Sequence, residues 1–461
     1  MNSLAREFRF SSLIRFALPT IVMMLILSMY TIVDGIFVAR FVGANALSAV
    51  NIAMPLVNIV TGIGIMFATG GSAIVAKEMG EGKEDNARRH FTLIVVFSAC
   101  IGVLFALVGL FFTGPVTRAL GATEILYADC YTYSYICLLF APACIVKCLF
   151  DYFLITAGKP QLGLLNSVLG GVINVALDYV FIVPMGMGIA GAAIATGLGQ
   201  LLPALAGIAY FWLSKNALRF QRTGLDGHML VHCCTNGASE MVTNLSMGIT
   251  TFLFNMAMLH YLGEDGVAAI TIVLYAQFLM VSVFLGFTSG VAPVISFHYG
   301  ARNWKQEQRI VRYCYCFIAA VSVLTLAASI WLAPVLMGVF SPKGTRVYDI
   351  ALHGFYLFAW SFLPVGINIF ASGMFTAFSN GLVSGFLSLL RTLVFVVTGI
   401  LVLPLFWGLD GVWLTIPFAE LTAVFFSLAL TWKHRARYGY GKKAPEEQTK
   451  WKSASPSPEA E

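Results

Sequence analysis

Residues 41–50 read FVGANALSAV, and residues 261–270 read YLGEDGVAAI. An offset of 220 pairs Gly43 with Gly263 and Ala49 with Ala269. The same offset pairs Phe67 with Phe287, Gly70 with Gly290, Gly80 with Gly300 and Arg89 with Arg309. Far downstream it still pairs Thr156 with Thr376, Ala157 with Ala377, Pro184 with Pro404, Gly188 with Gly408 and Gly191 with Gly411. Chance supplies a few glycine matches in an apolar chain, but not one register kept over roughly 150 residues. The chain is a duplication, and a duplicated membrane protein is first a transporter candidate, because two similar bundles can rock about a central site.

Composition supplies the membrane. Of 461 residues, 59% are hydrophobic and 11% charged, where a soluble domain carries about 25% charge. Mean hydropathy is +0.83. Such a chain has too little polar surface for water, so its solvent is lipid. Glycine lets membrane helices approach closely, and Phe and Met suit a lipid-facing or drug-facing wall. The nine cysteines form no CxxC pair and no Cys/His cluster with zinc spacing, so they read as buried free thiols and no metal site is expected from them.

A hydrocarbon core of about 30 Å needs about 20 apolar residues per helix. Runs between charged or Gly/Pro breaks give twelve spans, near 13–39, 47–76, 90–113, 126–150, 160–183, 190–214, 232–260, 267–297, 310–332, 349–375, 379–405 and 411–433. Six fall in each half, and an even number returns the chain to its starting side. The expected fold is an all-α integral membrane protein: two six-helix bundles related by a pseudo-two-fold axis along the membrane normal. The expected domains are an N-terminal lobe over 1–213, a linker over 214–231, a C-terminal lobe over 232–433 and a disordered tail over 434–461.

Lys and Arg give the direction. One side collects 23 of them, counting Lys147 and Lys159 in one loop, against Arg40, Arg118, Lys343 and Arg346 on the other. The positive side is expected to be cytoplasmic, with both termini inside. The net charge of +6 follows from this bias and does not argue for nucleic acid.

An ionisable group inside a membrane helix costs at least about 2.5–3.5 kcal/mol and needs a reason. Asp34, Asp178, Glu240, Arg391 and Glu420 stand out. At about 1.5 Å per residue, Asp178 and Thr196 sit at similar depth on either side of the turn at 184–189. Asn174 lies one turn from Asp178 on the same face, and Asp34 reaches a comparable level. Two carboxylates with amide and hydroxyl oxygens make a hard-cation or proton site; the plainer reading is four hydrogen-bonded residues locking helices together. Arg391 and Glu420 fall at mid-membrane on neighbouring helices and read as a buried ion pair, as a clamp or a substrate contact. Glu240 either faces a central cavity, where it would attract cations, or snorkels to the interface. Tyr30, Tyr133, Gln277 and Met280 are cavity-lining candidates that also suit plain packing. Pro19, Pro55, Pro142, Pro293, Pro364 and Pro417 lie in or near spans and can kink them. The GEGK at 80–83 lacks the spacing of a phosphate loop. His232, His260, His298 and His353 are scattered near span ends, which leaves an intramembrane enzyme without a catalytic pair.

These residues carry a resemblance. FALPT at 16–20, YTIVDGIFVARFVG at 30–43, ATGGSAIVAKEMGEGK at 68–83, the N-x-x-x-D of Asn174 and Asp178, GIAGAAIATGLGQ at 188–200 and GFTSGVAPVISFHYGARN at 286–303 are similar to the multidrug and toxic compound extrusion (MATE) family. The match spans about residues 10–435. The resemblance implies twelve helices in two lobes around a V-shaped cavity, and export of cationic or aromatic drugs in exchange for H⁺ or Na⁺. It implies no enzyme activity and no cofactor beyond the coupling ion. It assigns the cation site to Asp34, Asn174, Asp178 and Thr196, and places the protein in a prokaryotic plasma membrane, working as a monomer on small amphipathic cations. A second branch of the family puts its acids in the C-lobe; Glu240 answers one of them, but span 349–375 has no interior carboxylate, which favours the N-lobe site. The nearest alternative is a flippase or exporter of lipid-linked glycans with a related fold, which needs a more cationic groove. At offset 220, Asp34, Asn174, Asp178 and Thr196 face Phe254, Val394, Thr398 and Ile416, so the coupling chemistry is expected in the first half alone.

Overall fold

The structure is a computed structural model that describes residues 3–37, 41–214 and 218–440; the side chains of residues 34–36, 44, 45 and 47 also lie outside the described set. The tail from 441 onward, with four of the basic residues counted above, therefore falls outside the description, as do Arg40 and Lys215.

The first half comprises α1 (Phe10–Phe37), α2 (Ala44–Gly80), α3 (Glu84–Ala119), α4 (Tyr127–Leu139), α5 (Ala141–Thr156), α6 (Pro160–Ile182) and α7 (Gly188–Leu213). The second comprises α8 (Gly227–Leu262), α9 (Glu264–Gly300), α10 (Trp304–Phe340), α11 (Arg346–Phe358), α12 (Phe362–Ala377), α13 (Gly381–Leu389), α14 (Phe395–Trp413) and α15 (Thr415–His434). Among the described residues the regular elements are all helices; three spans are broken, and α14 is kinked at Gly408, whose φ of +55° is non-helical. α4 and α5 meet at 54°, where Pro142 in the first turn of α5 has no N–H to continue the ladder. A 3-10 turn, Ala359–Ser361, joins α11 to α12, and a π-turn, Leu390–Val394, joins α13 to α14. With each broken span counted once, the described helices give twelve candidate membrane spans by length and composition. Residues 227–231, read as linker, open α8 instead, because Asp226 accepts from the Met229 N–H and caps the helix.

The first and last described segments reach the same face: Gln306 Nε2 donates to the Phe8 carbonyl at 2.8 Å, and Gln308 Nε2 to the Gly439 carbonyl at 2.8 Å. We call this the basic end, since it also carries the Arg302–Arg312 segment.

The duplication is visible atom by atom in the seam between bundles. A methyl on Gly80 of α2 would run into the Phe297 carbonyl of α9, and one on Gly300 of α9 into the Lys77 carbonyl of α2. Under the 220-residue offset these are one contact, made twice. Gly70 against Gly237 and Gly290 against Ala17 form a second such pair. The pseudo-two-fold axis therefore passes between α2 and α9, and the bundles meet as self-complementary surfaces. These close approaches lie in the half of the helices nearest the basic end, so the protein is shut there. Glycine at both positions lets backbone meet backbone. Gly80→Ala and Gly300→Ala should each lower the thermal stability of the purified protein by about 1–3 kcal/mol, the range for overpacking. The two losses should agree within about 0.5 kcal/mol, an additivity-scale error; grossly unequal losses in calorimetry would contradict the symmetric seam.

Candidate functional site

Two glycines assemble the first-bundle site. A methyl on Gly199 of α7 would lie 2.9 Å from Asn174 Cβ, and one on Gly170 of α6 would lie 2.6 Å from the Gly199 carbonyl oxygen. This close hairpin brings Asn174 Nδ2 to 3.4 Å from Thr196 Oγ1. Asn174 and Asp178 are 2% and 1% exposed, and Asn174 Oδ1 has no hydrogen-bond partner among the described residues. Asp34 lies near the end of α1, but its side chain is outside the described residues. Tyr30, one turn earlier on α1, lines a cavity of about 40 Å³ together with Asn174, Thr196 and Gln200. Tyr133 lines a neighbouring cavity of about 40 Å³ that shares Thr196 and Gln200 with the first. Tyr30 and Tyr133 thus face cavities inside the first bundle.

That cavity also holds a charge that the sequence reading misfiled. Lys147, counted there as a loop residue, sits inside α5 and lines the cavity wall. Its Nζ lies 2.6 Å from Asp151 Oδ2, one turn on, and Ser167 Oγ of α6 donates to Asp151 Oδ1 at 2.9 Å. The fourth span, ended at residue 150 from its charges, runs on to Thr156. The physical reason is mutual neutralisation: an i,i+4 pair of opposite sign, with its remaining oxygen hydrogen-bonded, can stay inside a membrane helix that neither charge alone would tolerate. The i,i+4 spacing was the available signal.

In the second bundle Arg391 occupies the π-turn, a distortion found often at functional sites. Its Nη1 stands 3.8 Å from Glu420 Oε1, an ion pair too long for a hydrogen bond. Glu420 is held instead by Asn368, whose Nδ2 donates to Glu420 Oε2 at 2.6 Å and whose Oδ1 accepts from Ser427 Oγ at 2.8 Å. Glu240 lies on α8 within electrostatic reach of Arg391, and its carbonyl accepts from Asn244 Nδ2 at 2.8 Å. Asn244 in turn abuts Gly62 of the first bundle, 3.3 Å from an added methyl. Glu240 therefore stands close to the seam. Gln277 and Met280 lie on α9, both half-buried, and Met280 packs against the main apolar core; neither is tied to Glu240. Two further ionisable residues are buried near the basic end: His298, read above as lying near a span end, and Glu307, which the sequence reading does not single out, 2% and 0% exposed. They lie in the last turn of α9 and the first of α10, where sequence alone suggests a solvated loop.

A model of the MatE family matches residues 19–180 and again 241–401, once in each half. The chain belongs to the MatE family. As a MatE protein it is a multi-pass transporter and not an enzyme. Among curated relatives, the multidrug export protein MepA of Staphylococcus aureus strain MRSA252 is 20% identical over 430 residues, covering 93% of this chain and 94% of MepA. MepA of Staphylococcus saprophyticus is 20% identical over 425 residues, covering 91% and 90%. Two solved structures share the fold. A MATE crystal structure in complex with MaL6 superposes with TM-score 0.90 at 21% identity, covering 95% of this chain and 99% of its own. A MOP-superfamily transporter from Pyrococcus furiosus, described as having a binding pocket of reverse polarity, superposes with TM-score 0.88 at 22% identity, covering 96% and 98%.

Proposed function

We propose that this MatE-family protein is a secondary antiporter that exports small cationic or aromatic compounds in exchange for H⁺ or Na⁺. The relatives named multidrug export proteins support the cargo class. The observation that carries the charge preference is the balance inside the membrane. Five acids, Asp34, Asp151, Asp178, Glu240 and Glu420, lie within the spans against two bases, Lys147 and Arg391, so the spans carry net negative charge. A groove for pyrophosphate-linked glycans would need the opposite sign.

In this reading residues 1–213 and 232–433 are the two moving lobes, and the basic end faces the cytoplasm. The close seam at that end then corresponds to an outward-facing state. A cation entering from outside neutralises the site of Asp34, Asn174, Asp178 and Thr196, the first lobe repacks, and cargo leaves outward. Reversion delivers the cation inward. One charge moving down the potential supplies about 2.3 kcal/mol per 100 mV, enough for a roughly fifty-fold cargo gradient at 1.4 kcal/mol per decade. The residues themselves suit both ions, since paired carboxylates take a proton while the amide and hydroxyl oxygens complete a hard-cation shell.

The test is efflux of a cationic dye from proteoliposomes under an imposed Na⁺ gradient, and separately under a pH gradient. One gradient should drive efflux several-fold above a no-gradient control. Efflux indifferent to both would end the antiport reading.

A further inference from the structure

The seven described residues ahead of α1, 3–9, do not hang free. Ser3 Oγ donates to the Gly158 carbonyl at 2.9 Å, in the turn between α5 and α6 of the first bundle. Leu4 is 0% and Phe8 2% exposed. The Phe8 carbonyl accepts from Gln306 of α10, in the second bundle, at 2.8 Å. The Phe8 ring meets His298 of α9 edge-on at 6.2 Å between centroids, and Arg6 lies over the Phe8 ring at 4.7 Å. Phe10, at the start of α1, meets Tyr313 of α10 edge-on at 5.7 Å. The segment is thus anchored to one bundle at Ser3 and to the other at Phe8. It crosses the seam at the end where the glycine contacts shut it.

Gly158 is shaped for this contact. Its φ of +74° favours glycine, and a Cβ there would collide with Ser3 Oγ. The anchors are also unlike surface decoration. An apolar pair is fully buried, and a side-chain amide is spent on a backbone carbonyl 298 residues away in sequence. Loose N-terminal segments rarely acquire such contacts unless they are tied down.

We propose that residues 3–9 form a latch across the two bundles. It holds the basic end closed and must release at one anchor each time that end opens. The latch rests on the alternating-access reading only for its transport consequence; its effect on closure is independent of cargo and coupling ion. Each anchor rests on one hydrogen bond, with ring contacts added at Phe8, so freeing either one is enough to let the bundles part.

Two measurements test it, in a background with the nine native cysteines replaced. The first places a cysteine at Thr20, which is 1% exposed and lies beneath the seam against Gly290. Its maleimide labelling is followed in the purified full-length protein in detergent. Gln306→Leu should raise the labelling rate about five-fold, the population shift of one lost hydrogen bond, and deletion of residues 3–9 should raise it further. Unchanged labelling in Gln306→Leu would overturn the latch, whether or not the deletion variant folds. The second pairs Ser3→Cys with Gly158→Cys, whose Cβ atoms would stand 3.1 Å apart, close enough for a disulfide after a small adjustment. This bond fixes the Ser3 anchor alone, so dye efflux should continue after oxidation. Adding Phe8→Cys/His298→Cys, whose native rings meet at 6.2 Å between centroids, bridged by a short bis-methanethiosulfonate, should stop it, and reductant should restore it. Undiminished efflux with both anchors locked overturns the proposal. If the unmodified transporter exports under no gradient, the functional reading fails, and the labelling result still decides the latch.

Discussion

Asp34→Asn reduces efflux to the level of empty vesicles while the protein reaches the membrane in normal amount. Asparagine keeps the size and hydrogen-bonding capacity of the side chain and removes only the charge. A site that merely locked helices together would tolerate that change at a cost of about 1 kcal/mol. A coupling site would not, because a neutral side chain can be neither charged nor discharged by the ion. Asp178→Asn is expected to match it. The measurement is dye efflux under whichever gradient drives the wild type, alongside quantitation of membrane protein. Undiminished efflux by Asp34→Asn removes the N-lobe assignment. Normal efflux by Asp178→Asn alone would confine the coupling charge to α1.

Lys147→Met destabilises the protein by about 3–5 kcal/mol, the cost of leaving one buried charge without its partner. Asp151, one turn on in α5, would then keep only the Ser167 hydroxyl of α6. The double variant Lys147→Met/Asp151→Leu should recover most of that loss, because two apolar side chains of similar volume remove both desolvation penalties together. The readout is the thermal unfolding midpoint of the purified protein. If the single variant is as stable as the wild type, the 2.6 Å contact is not a buried ion pair in the membrane-embedded protein. The recovery in the double variant also separates packing from chemistry, since a stable double variant that fails to transport would give the Lys147 charge a part in the cavity itself.

The scaffold was legible because it is periodic. Twelve apolar runs and a 220-residue offset fix number, order and symmetry of the helices with no knowledge of side-chain contacts. The hairpin of α6 and α7 was legible for the same reason, since equal distances from a turn imply equal depth, and Asn174 does meet Thr196. Sequence reading failed where a charge has a partner. It closes the fourth span at residue 150, before Asp151, and counts Lys147 with the loop cations although that span contains it. The π-turn at Leu390–Val394 was likewise invisible, because a single wide turn leaves the apolar pattern intact while changing the direction of Arg391. The latch was out of reach for another reason: its meaning lies in contacts between residues 3–9 and residues near 158 and 306, and no local pattern encodes them.

The paired contacts of Gly80 and Gly300 have a kinetic consequence. Because each is the image of the other about one axis, neither is the weaker edge from which the seam could peel. A rocking motion strains both equally until both give way. Partly opened forms should therefore be sparse, and the protein should pass between its two faces in a single jump, leaving little time for ions to slip through without cargo.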